Sequence, residues 1–340
     1  MSTHEVTFVF QDGRIVKFDA SEDDNIYFAA LKNKVRILTD CLEGACATCK
    51  GVCTTGAYYL DEFTDEALTA EEYDRREVLT CQMHVTSDCV IEFPYESRIA
   101  LKSEPDSRKA RVAEIDMISS TVAKLVVEPE ADAPPVSFLP GQYVHLSVPG
   151  TSEHRSYSFA NAAFETGKYT FYIKLLEHGA MSDYLSERAQ PGDEFVVTGP
   201  FGRFYQRPTI RPILMVAGGT GLAPMLSMLD TLAANDDTDY PVRLLYGANA
   251  VDELFAFDQL RGYAEQGLDL TVELCVGEPD QDWDDATGHV TGLLRPEILN
   301  GGDCEIYLCG PPPMIDAAES WLYANGVNPI LVHAEKFVPS

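Results

Sequence analysis

The chain has 340 residues, 45% of them hydrophobic and 23% charged, the balance of an ordinary soluble globular protein. At about 150 residues per domain it has room for two or three. Its 25 Lys and Arg against 54 Asp and Glu leave a formal charge of −29, which repels nucleic-acid phosphates and anionic lipid surfaces. No uncharged apolar run approaches the ~18 residues of a membrane span. The expectations are a cytoplasmic protein, no nucleic-acid partner and no membrane partner.

Apolar and polar residues alternate over Glu5–Phe10 and Arg14–Phe18 around Asp12-Gly13, which predicts an opening β-hairpin. Asn25–Lys34 reads as a short helix, a cysteine loop follows, and Cys89–Tyr95 reads as the last strand of a module over residues 1–98. Residues 99–108, around Lys102-Ser103-Glu104-Pro105-Asp106-Ser107, are polar and broken by proline, as in a linker. Over 109–206 come short alternating runs: Arg111–Ile115, Val122–Val127, Tyr143–Val148, Tyr169–Leu175 and Glu194–Thr198. Pro-Gly pairs at Pro140-Gly141, Pro149-Gly150 and Pro191-Gly192 separate them, which predicts an antiparallel barrel. Over 207–340, mostly apolar runs (Ile213–Ala217, Val242–Tyr246, Leu270–Val276, Glu305–Leu308) alternate with helical stretches (Pro224–Ala234, Leu254–Gln266, Pro313–Tyr323). Strands without alternation are covered on both faces, so this part predicts a parallel, doubly wound sheet. The fold class is multidomain, α+β followed by α/β.

Nine cysteines, an odd number with no secretory signal in view, argue for metal or redox chemistry over a disulfide framework. Cys41, Cys46 and Cys49 stand as Cys-x4-Cys-x2-Cys, and Cys81 follows after a gap of 31 residues, the plant-type spacing for a [2Fe-2S] cluster. Gly44, Ala45, Ala47 and Thr48 are small, which lets backbone N–H groups approach the sulfurs. The competing reading is a structural zinc site made by Cys46, Cys49, Cys81 and His84, which leaves Cys41 idle. A thioredoxin-like Cys46-x2-Cys49 lacks a helix signal, and a Rieske centre lacks its Cys-x-His pairs. Cys53 and Cys89 read as buried small hydrophobes.

Arg155-Ser156-Tyr157-Ser158 offers a guanidinium fork for a pyrophosphate, a flat ring with a hydroxyl, and a serine hydroxyl for a ring nitrogen. Its bland alternative is a plain strand end. In Gly179-Ala180-Met181-Ser182, Ser182 is expected to be a helix N-cap beside free amides suited to phosphate oxygens, or else an ordinary cap. Gly218-Gly219-Thr220-Gly221-Leu222-Ala223-Pro224 follows the first apolar strand and opens a helix. Cys309-Gly310-Pro311-Pro312 ends a later strand, so two strand ends point to one crevice at the carboxyl edge. From Gly247 to Leu260 there is no basic residue, only Asp252, Glu253 and Asp258, which favours NADH over NADP.

In this order, and with terminal Glu335-Lys336-Phe337, the motifs resemble the ferredoxin–NADP reductase superfamily. Within it they are most similar to the NADH-dependent reductase components of two-component aromatic-ring dioxygenases, the benzoate/toluate 1,2-dioxygenase reductase type. The resemblance spans essentially the whole chain. It implies a β-grasp ferredoxin domain ligating its cluster through Cys41, Cys46, Cys49 and Cys81, an FAD-binding β-barrel, and a Rossmann-like NADH-binding domain. It implies that Arg155 pairs with the flavin pyrophosphate, Ser156 is one of the cofactor-binding residues, Tyr157 lies against the isoalloxazine, and Ser158 approaches N5. Gly179, Met181 and Ser182 would hold the pyrophosphate from the other side. Gly218, Gly219, Thr220, Gly221, Gly310 and Pro311 would receive the dinucleotide. Cys309 would sit near the nicotinamide C4, Glu335 would steady the hydride-transfer geometry, and Phe337 would cover the flavin ring, with a core aromatic as its alternative. Leu42 stands where many relatives carry arginine, so the docking face beside the cluster is expected to differ.

Hydride carries two electrons and the cluster takes one at a time, so a carrier that holds two and releases one must lie between them, as FAD does. The resemblance implies a path from NADH through FAD and the [2Fe-2S] cluster to a terminal Rieske oxygenase component acting on aromatic carboxylates. The alternative partner is a diiron monooxygenase for phenols, toluene or alkenes. A reading from a different class is a zinc module fused to a nucleotide-binding regulatory domain, which would be colourless. The protein is expected to be a monomer whose acidic first module is steered toward a basic patch on its partner.

Overall fold

A computed structural model of the chain describes residues 2–11, 15–101, 106–130, 136, 138–162, 167–202, 204–207, 209–234 and 240–338. It divides into two compact units, Met1–Asp106 with Phe201–Arg203, and Ser107–Pro200 with Phe204–Ser340. Among the described residues no helix is long and apolar enough to cross a membrane.

The first unit contains β1 (Thr3–Phe10), β2 (Ile15–Ser21), α1 (Ile26–Lys32), β3 (Lys50–Thr55), β4 (Tyr58–Leu60), α2 (Ala70–Asp74), β5 (Glu77–Leu79), β6 (Met83–Val85), β7 (Cys89–Phe93) and α3 (Ser97–Ala100). Its main sheet runs β2-β1-β7-β3-β5, with β1 antiparallel to β2 and parallel to β7. The predicted hairpin is there, and its Asp12-Gly13 turn lies outside the described residues. Val6, Phe8 and Phe10 point inward at period two, and the Phe8 ring meets Phe18 and Phe93 edge-on at 4.8 and 4.9 Å. Asn25 caps α1 by accepting from Phe28 N at 2.9 Å, while its amide donates to Cys81 O at 2.8 Å. One residue thus starts the helix and ties it to the turn that carries Cys81. Of the expected linker, residues 102–105 lie outside the described residues, and α3 and β8 begin or end inside its bounds.

The barrel comprises β8 (Asp106–Met117), β9 (Val122–Pro129), β10 (Tyr143–Ser147), β11 (His154–Ser158), β12 (Tyr169–Lys174), α4 (Ala180–Glu187) and β13 (Glu194–Phe201). Its strand order is β11-β10-β13-β8-β9-β12, and the Ala160 N–H donates to Thr170 O at 2.8 Å to join the two ends. The remaining elements are β14 (Ile213–Gly218), α5 (Leu222–Ala233), β15 (Val242–Ala250), α6 (Phe257–Glu265), β16 (Leu270–Glu278), β17 (Ala286–Thr287), β18 (Glu305–Gly310), α7 (Pro312–Ala324) and β19 (Val332–Lys336). They form a parallel sheet in the order β17-β16-β15-β14-β18-β19. Residues of α5 and α7 enter different core clusters, so the sheet is covered on both faces as expected. Barrel residues Val122, Ala160 and Phe204 share one core with Met215, Leu222, Met225 and Leu229, which welds barrel and sheet together.

Two expectations need correction. The run Leu270–Val276 is not covered on both faces: only Cys275 and Val276 are buried, because the outer neighbour β17 is two residues long and pairs with those two alone. The helix expected from Leu254 starts at Phe257, since Ala256 has φ 63°, a left-handed turn that cannot continue into a helix upstream.

Candidate functional site

In the first unit, Leu42, Gly44 and Ala47 adopt φ of 60°, 72° and 58°, which curls the loop so that its amides face inward. Glu43 N and Ala45 N donate to Cys41 Sγ at 3.5 and 3.4 Å, and Cys41 N donates to Cys46 Sγ at 3.5 Å. A Cβ at Gly44 would stand 2.9 Å from both Glu62 O and Phe63 Cβ, so only glycine fits there. Gln82 Nε2, which reasoning from sequence passed over, donates to Leu42 O at 3.1 Å and reaches Cys81 Sγ at 3.6 Å. Hydrogen bonding from the Cys46 thiol, then from the amides of Glu43, Ala45 and Cys46, outweighs burial and lowers Cys41 to about 5. Three backbone amides thus point at the sulfurs of this loop.

The four thiols fall into two pairs, Cys41 with Cys46 and Cys49 with Cys81, the latter sulfurs 3.3 Å apart. Two thiolates for each of two irons is the donor set of a [2Fe-2S] cluster. Among the described residues no group of three or more His, Cys, Asp or Glu is placed to hold a single ion. His84, the fourth ligand a zinc site would need, is engaged elsewhere: its ring lies on Tyr59, with Nε2 at 2.9 Å from Asp61 Oδ2 and Nδ1 at 3.1 Å from Glu22 O. Cys53 and Cys89 are buried in the core of the sheet.

In the second unit, β11 presents Arg155, Ser156, Tyr157 and Ser158. The Arg155 fork is held by Glu153 Oε2 at 2.7 Å and His154 O at 2.9 Å, and burial raises the Tyr157 hydroxyl above its ordinary range. The Ser158 hydroxyl donates to Glu335 Oε2 at 3.4 Å. In the sheet, Cys309 of β18 stands between Ala217 of β14 and Glu335 of β19. Ser158, Cys309 and Glu335 therefore converge although they are far apart in sequence. Burial pushes Glu335 up to about 8, against the Ser158 bond, and burial next to Glu335 raises Cys309. Burial thus disfavours negative charge on both Cys309 and Glu335. Phe337 follows directly, half-buried against the shared core, its N–H donating to Gly310 O at 2.9 Å.

The expected role of Ser182 as N-cap is not realised: α4 is capped by Gly179, without a side-chain bond. Ser182 sits in the first turn, where its hydroxyl accepts from Leu176 N at 2.8 Å and braces the preceding turn. Met181 places its side chain in the barrel core, and its amide is one of the first-turn N–H groups of α4 that have no partner within the helix.

At the carboxyl edge of the sheet, β15 lies on one side of β14 and β18 on the other, the crossover arrangement that opens a ligand crevice. Glycines let the strand ends close on each other. A Cβ at Gly218 would lie 2.6 Å from Met314 Sδ, one at Gly221 2.2 Å from Cys309 O, and one at Gly310 3.1 Å from Gly218 N. Gly219 is different: it needs glycine for its φ of +55°, with open space around it, as a backbone that receives a ligand would have. Thr220 lies between these glycines and Pro311 precedes α7, so every predicted nucleotide residue lines this one edge.

The chain matches the 2Fe-2S iron-sulfur cluster binding domain family over residues 9–86, the oxidoreductase FAD-binding domain family over 109–205, and the oxidoreductase NAD-binding domain family over 215–320. It is 37% identical to the toluate 1,2-dioxygenase electron transfer component of Pseudomonas putida, over 99% of both chains. It is 38% identical to the 2-halobenzoate 1,2-dioxygenase electron transfer component of Burkholderia cepacia, over 99% of this chain and 98% of that one. The crystal structure of the Amycolatopsis cytochrome P450 reductase GcoB superposes with a TM-score of 0.73 at 26% identity, covering 98% of this chain and 99% of its own. This oxidoreductase, with its [2Fe-2S], FAD and NAD domains, belongs to the family of NADH-dependent electron-transfer components of aromatic-ring dioxygenases, within the ferredoxin–NADP reductase superfamily.

Proposed function

We propose that this chain delivers electrons from NADH, by way of FAD and the [2Fe-2S] cluster, to the Rieske oxygenase of an aromatic-carboxylate dioxygenase, as a cytoplasmic monomer. Bound FAD supplies the conversion between a two-electron donor and a one-electron acceptor. Arg155 and the first-turn amides of α4 hold the pyrophosphate, with Ser156 and Gly179 shaping that end. Tyr157 would lie along the isoalloxazine and Ser158 would reach its N5 side. Gly218, Gly219, Thr220 and Gly221, with Gly310 and Pro311, bind the dinucleotide, while Cys309 and Glu335 orient the nicotinamide and Phe337 shields the ring. Cys41, Cys46, Cys49 and Cys81 ligate the irons. Cys309 and Glu335 would position and polarise the reacting partners more than exchange protons.

The carrying observation is the convergence of Ser158, Cys309 and Glu335 at a parallel-sheet crevice, in a chain whose other unit holds four paired thiols. Anaerobic titration with NADH, followed by visible absorption and EPR, tests it. The expected protein is brown-orange, contains acid-labile sulfide and bleaches with NADH; a colourless one ends the reading. Co-purification with Rieske subunits, as against diiron subunits, tests the partner.

Glu335 also predicts a pH effect. Its folded pKa of about 8 lies above the ordinary 4.5, so the folded state binds the extra proton between these values. The stability this contributes is complete below the unfolded pKa and is lost as pH rises through the folded one. Glu335→Gln, which stays neutral and keeps an acceptor for Ser158, is expected to reduce the fall in Tm between about pH 4.5 and 8. An unchanged fall would mean that another group titrates there.

A further inference from the structure

Ser158 comes from the barrel, while Cys309 and Glu335 come from the sheet, so some contact must fix their separation. The segment after Ser158 is tied at each step. Phe159 N donates to Gln142 O at 3.1 Å and Ala160 N to Thr170 O at 2.8 Å, both within the barrel. Asn161 bonds Lys168 O and Thr170 N through its side chain. The next ties leave the barrel: Ser227 Oγ donates to Asn161 O at 2.8 Å, and Ala162 N donates to Asp230 Oδ2 at 3.0 Å.

Asp230 lies in α5, the helix that leaves the Gly219–Gly221 turn, nine residues beyond Gly221 or roughly 13 Å along the axis. Its other oxygen accepts from the Tyr263 hydroxyl at 2.5 Å and from Gln259 Nε2 at 3.3 Å, both on α6. One carboxylate thus joins the barrel exit, α5 and α6. Burial opposes its ionisation while bonds from Tyr263, Gln259 and Ala162 favour it. A leucine would fill this space at less desolvation cost. What the carboxylate adds is an acceptor for a barrel amide.

We propose that Asp230 is a positioning residue that sets the Ser158 side of the redox site against the Cys309–Glu335 side, through the segment Phe159–Ala162. The inference rests on the NADH-to-flavin reading above. Asp230 touches neither trio nor nucleotide loop, so its loss misplaces the reacting partners and leaves their binding intact.

The test compares holoprotein with Asp230→Ala and Asp230→Asn. Stopped-flow bleaching by NADH and by its 4-deuterated form is measured together with KM for NADH, FAD content, and hydrogen exchange over residues 156–162. Asp230→Ala is expected to slow bleaching about 10- to 100-fold, the scale of an ångström-level misplacement, with KM and FAD content within about twofold and faster exchange at Ala162. Asp230→Asn keeps an acceptor for Ala162 N, and Tyr263 can turn its proton to Leu226 O, 3.3 Å away, so most of the rate should return. Bleaching by Asp230→Ala within about twofold of the parent, an equal loss in both variants, or loss matched by released FAD would each overturn the proposal. If Asp230→Ala does not fold, Ser227→Ala must slow bleaching and speed exchange at Asn161 and Ala162; no change in either overturns it. Failure of NADH to bleach the parent protein sinks the functional reading instead, and the exchange measurement still reads the tie.

Discussion

Cys46→Ser is expected to remove cytochrome c reduction by NADH, by about 100-fold or more, while NADH continues to reduce the flavin and ferricyanide. Cys46 pairs with Cys41, and its loop supplies amides that point at the two sulfurs, so replacing its thiolate would leave one iron of the cluster with a single protein thiolate besides the bridging sulfides. The flavin and nucleotide elements lie in a different compact unit with cores of their own, so their chemistry should survive. Three readouts separate the cases: acid-labile sulfide, cytochrome c turnover and ferricyanide turnover. Loss of all three would mean general misfolding. Unchanged cytochrome c turnover would mean that electrons leave without the cluster.

How much of this was legible beforehand follows from where the chemistry lies in sequence. Cluster ligation demands four thiols at a fixed spacing, so Cys41, Cys46, Cys49 and Cys81 announce themselves. The buried strands β14 and β18 read directly because apolar runs that long have few other uses. By contrast β4, β5 and β6 are three residues each, too short for periodicity to register, and β19 reads Val-His-Ala-Glu-Lys, with no apolar run at all. That strand holds Glu335, whose place came from resemblance and not from pattern. Ser182 misled because a serine before a helical run is a good cap by composition, whereas its hydroxyl turned back to Leu176. The pairing of His84 with Asp61 and the reach of Asp230 to Ala162 are contacts between distant segments, which no local rule contains.

Gly221→Ala is expected to slow bleaching by NADH about 10- to 100-fold while FAD stays bound. Gly221 has φ −61° and ψ −9°, an ordinary helical conformation open to any residue, so conformational freedom is not what it supplies. It supplies absence of bulk. An alanine Cβ would lie 2.2 Å from Cys309 O, 2.6 Å from Cys309 C and 3.0 Å from Gly310 N, all backbone atoms of β18 that no rotamer change can move. Either β14 and β18 part at their carboxyl ends or the Gly219–Gly221 turn swings outward, and overpacking of this kind costs about 1–3 kcal/mol. The first route moves Cys309 away from Ala217, with which it is in register, and both distort the crevice where the dinucleotide would lie. Since that shift falls on binding and orientation together, KM for NADH should rise while the bleaching rate at saturation falls. The barrel motif on β11 lies outside the clash, so flavin content should stay near that of the parent protein. Bleaching at the parent rate would show that the two strand ends yield without cost, and that the glycine is no part of how this protein receives its donor.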